Sequence, residues 1–450
     1  MLYYSTNLKA RKVSFREALL QGLAEDKGLY LPESIPIFSS SEILAMKDMD
    51  YPQIAFAVAH KFLAGEIPDD DLLALVQDAY DFSVPLEHVY DSCYVMRLDQ
   101  GPTASFKDFA ARLMGRLMHY FLAKENRNLL ILTATSGDTG SAIANAFYGL
   151  DNIQVVVLFP EKEVTARQRK QMTTLGKNVR VISLDGKFDD CQALVKKAFS
   201  DPAMSHLNLS SANSINIGRL LPQTMYYFYA YSKLVNEAGQ EVIFSVPSGN
   251  FGDLMGGLIA KHMGLPVKKF IVATNENDEF PKYLETGEYH VISPSRNCIS
   301  SAMNVGHPSN VARLIALYGG IMDETGFIHQ QPDLQKIRRQ MYSISVSDIQ
   351  TEETIASAKK EHDLLLEPHG AVGWYALMKY LDENPEDQNQ VCVSLETAHP
   401  AKFPEKIQEI LDIDPELPPS LQGLDGKEEY TLSMHLDYTA FTKFLLENYK

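Results

Sequence analysis

Short apolar runs recur along the middle and the later part of the chain. The runs, each rich in β-branched and aliphatic residues, are NLLILTAT, IQVVVLFP, VRVISL, EVIFSV, KKFIVAT and QVCVSL. Such runs are typical of buried strands. Helical patterns lie between several of them, for example SAIANAFYGL and LMGGLIAKHM. Strands that alternate with helices predict an α/β fold of parallel β-α-β units, with open sheets covered by helices on both faces.

The two ends of the chain show different patterns. Residues 1–85 contain helical patterns such as VSFREALLQGLA around the turn DKGLYLPES, and they predict a small N-terminal domain. Residues 86–450 hold the alternating strands and helices. From about residue 414 the proline- and glycine-rich stretch DPELPPSLQGLDGK predicts a connector to a short C-terminal extension.

Composition and charge narrow the possible functions. The chain has 450 residues, of which 45% are hydrophobic, so a large core is available. Its formal net charge of -17 disfavours non-specific nucleic-acid binding, which depends on basic surface. No run of about 18 apolar residues occurs, so no membrane span or secretory leader is expected. Since the four cysteines and the histidines show no metal-ligand spacing, we expect buried thiols, no metal site and a cytoplasmic location.

The segment GPTASFKDFAARLMGRLMHYF, residues 101–121, predicts a loop followed by a helix. Lys107 points away from the polar face of that helix, which includes Asp108. Ser105 and Asp108 have the spacing of a capping box, which places Lys107 in the first helical turn. Apolar neighbours and the positive end of the helix dipole lower a lysine pKa, and a nucleophilic lysine must be neutral. The alternative is a lysine whose ammonium group reaches water along apolar surface.

Three loops offer hydrogen-bond donors to anions. SGNFGD (248–253) and SGDTG (136–140) each lie between a predicted strand and a predicted helix, where backbone N–H groups and the helix dipole favour an anion. NSINIGR (213–219) brings together amides, a hydroxyl and a guanidinium, a donor set suited to a phosphate dianion. Each loop has an ordinary structural alternative: a tight turn at glycine, an N-cap, or asparagines that bond their own backbone.

A hydroxyl also stands at the end of one predicted strand. In ETAHPAKF (396–403), Thr397 follows the strand QVCVSL. Parallel sheets bind ligands beyond the carboxyl ends of their strands, so Thr397 is a candidate ligand-binding residue. The alternative is a hydroxyl that caps a turn.

These segments, in this order, resemble those of the threonine synthase family, whose members use pyridoxal phosphate. The motifs that carry the resemblance are YYSTN, DKGLYLPE, GPTASFKDFAAR, TSGDTG, NSINIGR, PSGNFGD, HPSNVARL, EPHGAVGW and ETAHPAKF. They span nearly the whole chain and match the longer form found in bacteria and fungi. The resemblance implies the pyridoxal-phosphate fold type II, which is tryptophan-synthase-β-like. It also implies a catalytic region at 86–450 that contains a mobile subdomain at about 105–225.

The resemblance further implies roles for individual residues. Lys107 is implied to bind the cofactor covalently and to act as the catalytic base. The implied cofactor ligands are Lys107, Gly249, Asn250, Phe251, Gly252 and Thr397. The implied substrate ligands are Ser136, Gly137, Asp138, Thr139, Asn213, Ser214, Asn216, Arg219 and Asp253. Position 138 is a departure, because many relatives of this fold have asparagine there, facing the phenolic oxygen of the cofactor.

The implied reaction converts O-phospho-L-homoserine and water to L-threonine and phosphate, the last step of threonine biosynthesis. Two alternatives stay open. One is a phospho-lyase of the same fold that releases a 2-oxo acid, ammonia and phosphate, and the other is a non-catalytic homologue that binds the cofactor. The expected partner is the small-molecule substrate, and the chain is expected to be a monomer or a weak homodimer.

Overall fold

Three short strands and four helices make up the first part of the chain in the computed structural model, which describes residues 1–449. The strands are β1 (Leu2–Ser5), β2 (Val13–Ser14) and β3 (Tyr30–Pro32), in the antiparallel order β2-β1-β3. The helices are α1 (Phe15–Gln21), α2 (Ser40–Ala45), α3 (Tyr51–Leu63) and α4 (Asp69–Ala79). Capping boxes begin α1, α2 and α3, which explains where these helices start. The stretch DKGLYLPES, expected to be a turn, contains β3 because Tyr30, Leu31 and Pro32 pair with β1.

The remaining strands follow along the rest of the chain. They are β4 (Leu86–Tyr90), β5 (Cys93–Arg97), β6 (Leu129–Ala134), β7 (Ile153–Pro160), β8 (Val179–Leu184), β9 (Leu209–Ser210), β10 (Val242–Pro247), β11 (Val267–Thr274), β12 (Ile321–Met322), β13 (Ile328–Gln330), β14 (Met341–Ser345), β15 (Val391–Glu396) and β16 (Leu432–Met434).

Helices alternate with these strands. They are α5 (Lys107–Glu125), α6 (Asp138–Phe147), α7 (Ala166–Thr173), α8 (Phe188–Ser200), α9 (Ile217–Leu220), α10 (Met225–Leu234), α11 (Gly252–His262), α12 (Glu279–Thr286), α13 (Val311–Leu317), α14 (Leu334–Gln340), α15 (Asp348–His362), α16 (Pro368–Glu383), α17 (Pro404–Leu411) and α18 (Tyr438–Asn448).

Two sheets form the centre of the molecule. The larger sheet has the order β14-β11-β10-β15-β5-β4 and is parallel except for β4, which pairs antiparallel with β5. The smaller one has the order β16-β8-β7-β6-β9 and is parallel throughout. The predicted α/β fold with parallel sheets is confirmed. The last strand of the chain, β16, was not expected in a sheet.

The inner strands of both sheets are largely buried, which explains why they read as continuous apolar runs. Every residue of β6, β10 and β15 is buried. The N-terminal part shares a hydrophobic cluster with α5 and α10, where the ring of Tyr51 packs against those of Phe109 and Tyr229, each with a centroid separation of 5.4 Å. Each fully buried large apolar side chain stabilises the fold by about 1.5–3 kcal/mol. Cys93, Cys191, Cys298 and Cys392 are all buried and free, as expected.

The start of α5 differs from the prediction. The helix begins at Lys107, but Ser105 and Asp108 do not form a capping box, and the Ser105 hydroxyl has no partner within residues 1–449. Asp108 is also not on an exposed polar face, because it is fully buried. Its carboxylate accepts hydrogen bonds from the Thr103 backbone N–H (2.9 Å) and the Thr103 hydroxyl (2.6 Å). The preceding loop therefore folds back over the helix start and replaces the expected cap.

Candidate active site

Lys107 is largely buried at the start of α5. Its Nζ is 3.6 Å from Asp138 Oδ2 and 4.7 Å from the centroid of the Phe106 ring, and the side chain is 11% exposed. It does not reach solvent along apolar surface. Burial lowers the pKa of Lys107, Asp138 raises it, and Lys402 and Arg219 lower it again, so that the net shift is downward. A larger share of the neutral amine is therefore present than for an exposed lysine.

The SGDTG loop joins β6 to α6 and places Asp138 beside this lysine. Gly137 has φ +132°, and a Cβ there would lie 2.6 Å from the Gln168 side chain, so only glycine fits. The Thr135 hydroxyl accepts the N–H groups of Gly137 (2.9 Å) and Gly140 (2.8 Å), which fixes the loop. Those two N–H groups are consequently not free for a ligand. Ser136 and Thr139 of the same loop are half-buried.

Asp138 is an ionised carboxylate inside the protein. Its Oδ1 accepts hydrogen bonds from Gln168 Nε2 (2.9 Å) and Lys402 Nζ (2.8 Å). Although burial raises its pKa, the two neighbouring lysines and these hydrogen bonds hold the pKa well below the usual range. Lys402 itself is fully buried. Lys402 belongs to the motif ETAHPAKF, but no role was predicted for it from the sequence.

The SGNFGD loop between β10 and α11 forms a narrow cradle. A Cβ on Gly249 would lie 2.7 Å from the Ala302 carbonyl oxygen, and Phe251 has the left-handed φ of +60°. Asn250 is held from both sides, because its Oδ1 accepts from Ser309 N (2.6 Å) and its Nδ2 donates to the Ser214 hydroxyl. Gly252 then opens the 11-residue helix α11, whose first N–H groups suit a phosphate.

Asp253, in the first turn of α11, is a second buried acid at the site. Its Oδ1 accepts from the hydroxyls of Tyr226 (2.5 Å) and Tyr227 (2.9 Å), and its Oδ2 has no partner within the described chain. Burial raises the pKa of Asp253 to about 6. Near pH 6 this carboxyl group is therefore partly ionised, so it can accept a proton or donate one.

The NSINIGR segment only partly meets its expectation. Arg219 is buried, donates from one terminal nitrogen to the Ala212 carbonyl (2.8 Å), and has no partner for Nε within residues 1–449. Burial lowers its pKa to about 10. Asn213 and Ser214 are half-buried; Asn213 accepts from the Thr133 hydroxyl (3.2 Å).

Asn216 was predicted to bind the substrate, but its side chain already has protein partners. Its side-chain amide donates to the carbonyls of Leu19 and Ser211, both at 2.9 Å, and its Oδ1 caps α9 by accepting from Gly218 N at 2.9 Å. These bonds use both N–H donors of the side-chain amide and one lone pair of its oxygen, and the residue is fully buried. Asn216 ties the loop to the N-terminal part of the chain, so both N–H donors of its side-chain amide are already occupied. This is the alternative in which asparagine bonds backbone groups.

Thr397 joins the end of β15 to the start of α5, because its carbonyl accepts from Phe106 N at 2.8 Å. The preceding residue, Glu396, contacts a buried group for which no role was predicted, because its Oε1 accepts from Glu367 N at 2.9 Å. Glu367 bonds His369 Nδ1 at 2.5 Å, and His369 Nε2 accepts from Ala302 N at 3.0 Å. Ala302 in turn packs against Gly249, so this group supports the cradle. Its signal in the sequence was the motif EPHGAVGW.

The residues present fit pyridoxal phosphate. A buried lysine with a lowered pKa can bind an aldehyde, and a glycine cradle that a Cβ would fill lies at the start of α11. A hydroxyl stands nearby at the carboxyl end of β15. The unpartnered Nε of Arg219 adds a donor for a second anion.

Within residues 1–449, no helix is long and apolar enough to cross a bilayer.

Comparisons with known proteins agree with this chemistry. The family descriptions "Threonine synthase N terminus", "Pyridoxal-phosphate dependent enzyme" and "Threonine synthase, C-terminal" match residues 2–80, 83–396 and 370–445. The threonine synthases of Haemophilus influenzae and Escherichia coli are each 38% identical to the chain, with 100% of both chains covered.

Solved structures give the same result. The pyridoxal-phosphate-bound threonine synthase from Brucella melitensis has a TM-score of 0.93 at 37% identity, with both chains covered completely. The yeast enzyme has a TM-score of 0.91 at 31% identity and covers 99% of this chain and 98% of its own. The predicted fold type, cofactor and enzyme class are confirmed, and the chain belongs to the threonine synthase family of pyridoxal-phosphate-dependent lyases.

Proposed function

We propose that the chain converts O-phospho-L-homoserine and water to L-threonine and phosphate, with pyridoxal phosphate bound covalently to Lys107. The observation that carries the assignment of this lysine is its burial at the start of α5 beside Asp138, with a lowered pKa. Lowering the pKa of an amine increases the share of its neutral form, which can attack an aldehyde and later accept a proton.

The cofactor site is proposed to use the SGNFGD cradle and Thr397. Backbone N–H groups of Gly249, Asn250, Phe251 and Gly252 would hold the cofactor phosphate, supported by the dipole of α11. Thr397 would face the pyridine nitrogen. When bound, pyridoxal phosphate withdraws electrons from the substrate carbons next to the amino group.

The substrate site is proposed to lie between the two anion loops. Ser136, Gly137, Asp138 and Thr139 line the end that would take the substrate carboxylate, with N–H groups other than those held by Thr135 as donors. Asn213, Ser214, Arg219 and Asp253 line the end that would take the substrate phosphate. Arg219 supports this because its Nε is buried and has no partner among residues 1–449.

The residues have distinct tasks in the reaction. Lys107 would take the proton from Cα and return protons to the carbon skeleton. Arg219 stabilises the departing phosphate dianion. Asp253, with a pKa of about 6, would be protonated beside a phosphate dianion and could then donate a hydrogen bond to it. Closure of the two sheets over the site would exclude water until the last step.

The covalent link is tested by borohydride reduction of the purified enzyme. We expect the visible absorbance of the bound cofactor to disappear and a pyridoxyl group to be found on Lys107. A pyridoxyl group on another lysine would overturn the assignment. Lys107→Ala should bind the cofactor without a covalent link and lack turnover.

The final step is tested by product stoichiometry. We expect about one threonine for each phosphate released, with one solvent oxygen in the threonine hydroxyl when the reaction runs in labelled water. Stoichiometric 2-oxobutyrate with little threonine would instead establish a phospho-lyase. A cofactor-loaded protein that releases no phosphate would establish the non-catalytic homologue.

The organisation of the protein is proposed from the same observations. We propose an N-terminal domain at 1–85 and a catalytic region at 86–450, in which residues 105–225 move and residues from about 414 form a C-terminal extension. The smaller sheet supports this, because β6 to β9 belong to 105–225 and pair with no strand of the larger sheet. The four buried free cysteines support a cytoplasmic location, and the net charge of -17 disfavours nucleic-acid partners. A monomer or weak homodimer is proposed, and light scattering over a concentration series tests it.

A further inference from the structure

Two lysines share one buried carboxylate at the site. Lys402 Nζ lies 2.8 Å from Asp138 Oδ1, while Lys107 Nζ lies 3.6 Å from Asp138 Oδ2. Lys402 is fully buried, and its second contact is the carbonyl oxygen of Thr103 at 2.8 Å. It lies in the 3-10 turn Pro400–Lys402, five residues beyond Thr397. The shorter contact means that Asp138 is paired mainly with Lys402.

The charges around Lys107 show how the pairing of Asp138 with Lys402 affects the protonation of Lys107. The charged or titratable groups that face it are Asp138, Lys402, Arg219, Glu367 and Asp253. Asp138 is the nearest anion and favours the ammonium form of Lys107, whereas Lys402 favours the neutral form. If Lys402 were uncharged, the unshared anion would hold Lys107 as an unreactive ammonium.

We infer that Lys402 is a positioning residue for the reaction, whose ammonium group is the permanent counter-ion of Asp138 and so leaves Lys107 free to bind the cofactor and to accept the substrate proton. This inference rests on the proposed role of Lys107. Two consequences follow for this chain. Asp138 stays ionised whether Lys107 is charged, neutral or covalently bound, and its Oδ1 stays occupied by Lys402 and Gln168.

Charge pairing also accounts for aspartate at position 138. An asparagine there would offer Lys402 a neutral oxygen in place of an anion, so its buried ammonium group would bond only neutral oxygens such as the Thr103 carbonyl. Burying an unpaired charge is strongly unfavourable. Asp138 and Lys402 are therefore expected to depend on each other.

The test follows the attachment of pyridoxal phosphate to the cofactor-free protein between pH 6 and 10, by the visible absorbance of the lysine-bound cofactor. In Lys402→Met we expect the pH midpoint of attachment to rise by at least one unit, since Lys107 keeps its proton to higher pH. Lys402→Arg should restore a midpoint close to that of the unaltered protein. The surface variant Lys406→Met is the matched control, because Lys406 pairs with Glu352 and Glu409 away from the site.

A charge series distinguishes this role from a purely structural one. Asp138→Asn should lower the midpoint, because Lys402 then acts on Lys107 without a counter-ion. The double variant Asp138→Asn/Lys402→Met should return it to near the original value. A purely structural role would change thermal stability but leave all midpoints equal, and that result would overturn the inference. If Lys402→Met does not fold, an unchanged midpoint in Asp138→Asn alone overturns it.

Failure of the proposed function has a different signature. Each variant is reduced with borohydride after attachment, and the pyridoxyl group is located by peptide mapping. A group found on Lys402 rather than Lys107 would refute the proposed function itself. A group found on Lys107 in every variant, with equal midpoints, would refute the role of Lys402 alone.

Discussion

Arg219 is a single residue on which the proposed substrate phosphate site depends. It is buried, and its Nε has no partner within residues 1–449, so a bound dianion would complete its hydrogen bonding. A hydrogen bond to a charged group is worth about 1.5–3 kcal/mol. We therefore expect Arg219→Leu to lower kcat/KM for O-phospho-L-homoserine by roughly one to two orders of magnitude. Steady-state kinetics measure this, with the exposed Arg180→Leu as the control.

Cofactor content decides whether the two phosphate sites are assigned correctly. Arg219→Leu should retain pyridoxal phosphate, because the cradle for the cofactor phosphate is formed by the backbone around Gly249. If the variant loses the cofactor but turns over normally when the cofactor is in excess, the two sites have been exchanged.

Gly249 is predicted to be needed for the cofactor rather than for the substrate. An alanine Cβ there would lie 2.7 Å from the Ala302 carbonyl oxygen, a backbone atom that cannot rotate away. Gly249→Ala should therefore shift the loop and weaken cofactor binding by at least tenfold, as measured by titration of the cofactor-free protein. Gly426→Ala is the control, because a Cβ there meets nothing within 4 Å. Equal cofactor affinity in both variants would show that the loop adapts.

For single residues, the local sequence predicts the place of a residue in its helix or loop better than it predicts the partners of the side chain. The helical pattern placed Lys107 in the first turn, and the structure agrees. It did not show that Asp108 bonds Thr103, that Asn216 bonds Leu19, or that Lys402 pairs with Asp138. These partners come from loops folding back or from segments roughly 200 or more residues away, and no local pattern encodes such contacts.

Helix α7 is an element that joins the site to the end of the chain. On one side, Gln168 bonds Asp138 (2.9 Å). On the other, Arg169 forms two bonds to Glu429 (2.8 and 2.9 Å), and Tyr430 N donates to the Thr173 carbonyl (2.6 Å). The C-terminal extension therefore holds the helix that holds Asp138.

Removing this contact should loosen α7. Surface ion pairs are worth at most about 1 kcal/mol, but Glu429 also accepts a bond from the Thr173 hydroxyl at 2.8 Å. We expect Glu429→Ala to lower the free energy of unfolding by about 1 kcal/mol and to speed amide hydrogen exchange in residues 166–173. Glu428→Ala is the matched control, since Glu428 bonds only the Tyr430 hydroxyl. Equal exchange in the two variants would show that α7 does not need this contact.

Strands could be predicted from the sequence where most of their residues are buried. The runs IQVVVLFP and VRVISL coincide with β7 and β8, because strands buried on both faces are apolar along most of their length; Arg180 is the exposed exception. The strand β16 was not predicted, since two of its three residues are exposed and it is held by pairing with β8. Edge strands of this kind have no distinctive pattern.

For the whole molecule, buried acids set how stability depends on pH. Glu279 is 2% exposed, and neither carboxylate oxygen has a partner in the described chain. Burial raises its pKa from 4.5 to about 8, so the folded protein binds a proton that the unfolded chain releases above pH 4.5. The contribution of protonated Glu279 to stability is therefore lost as the pH rises from 4.5 to 8, by at most roughly 1.4 kcal/mol per pH unit.

Glu279→Gln should remove this dependence. Relative to the unaltered protein, we expect its free energy of unfolding to increase as the pH rises across that window, as measured by urea unfolding at a series of pH values. Glu285→Gln, an exposed substitution on the same helix, should leave the pH profile unchanged. Parallel profiles for Glu279→Gln and the unaltered protein would show that Glu279 is ionised in the folded state.

The strand order has a consequence for synthesis on the ribosome. β15 lies between β10 and β5, so β5, complete at Arg97, cannot pair on its inner edge until residues 391–396 emerge. At about 5–20 residues per second, that interval lasts about 15–60 s. During this time a nascent chain exposes apolar strand edges of the kind that chaperones bind. Because Thr397 follows β15, the site is assembled only after residue 397 has emerged, and β16 joins the smaller sheet later still.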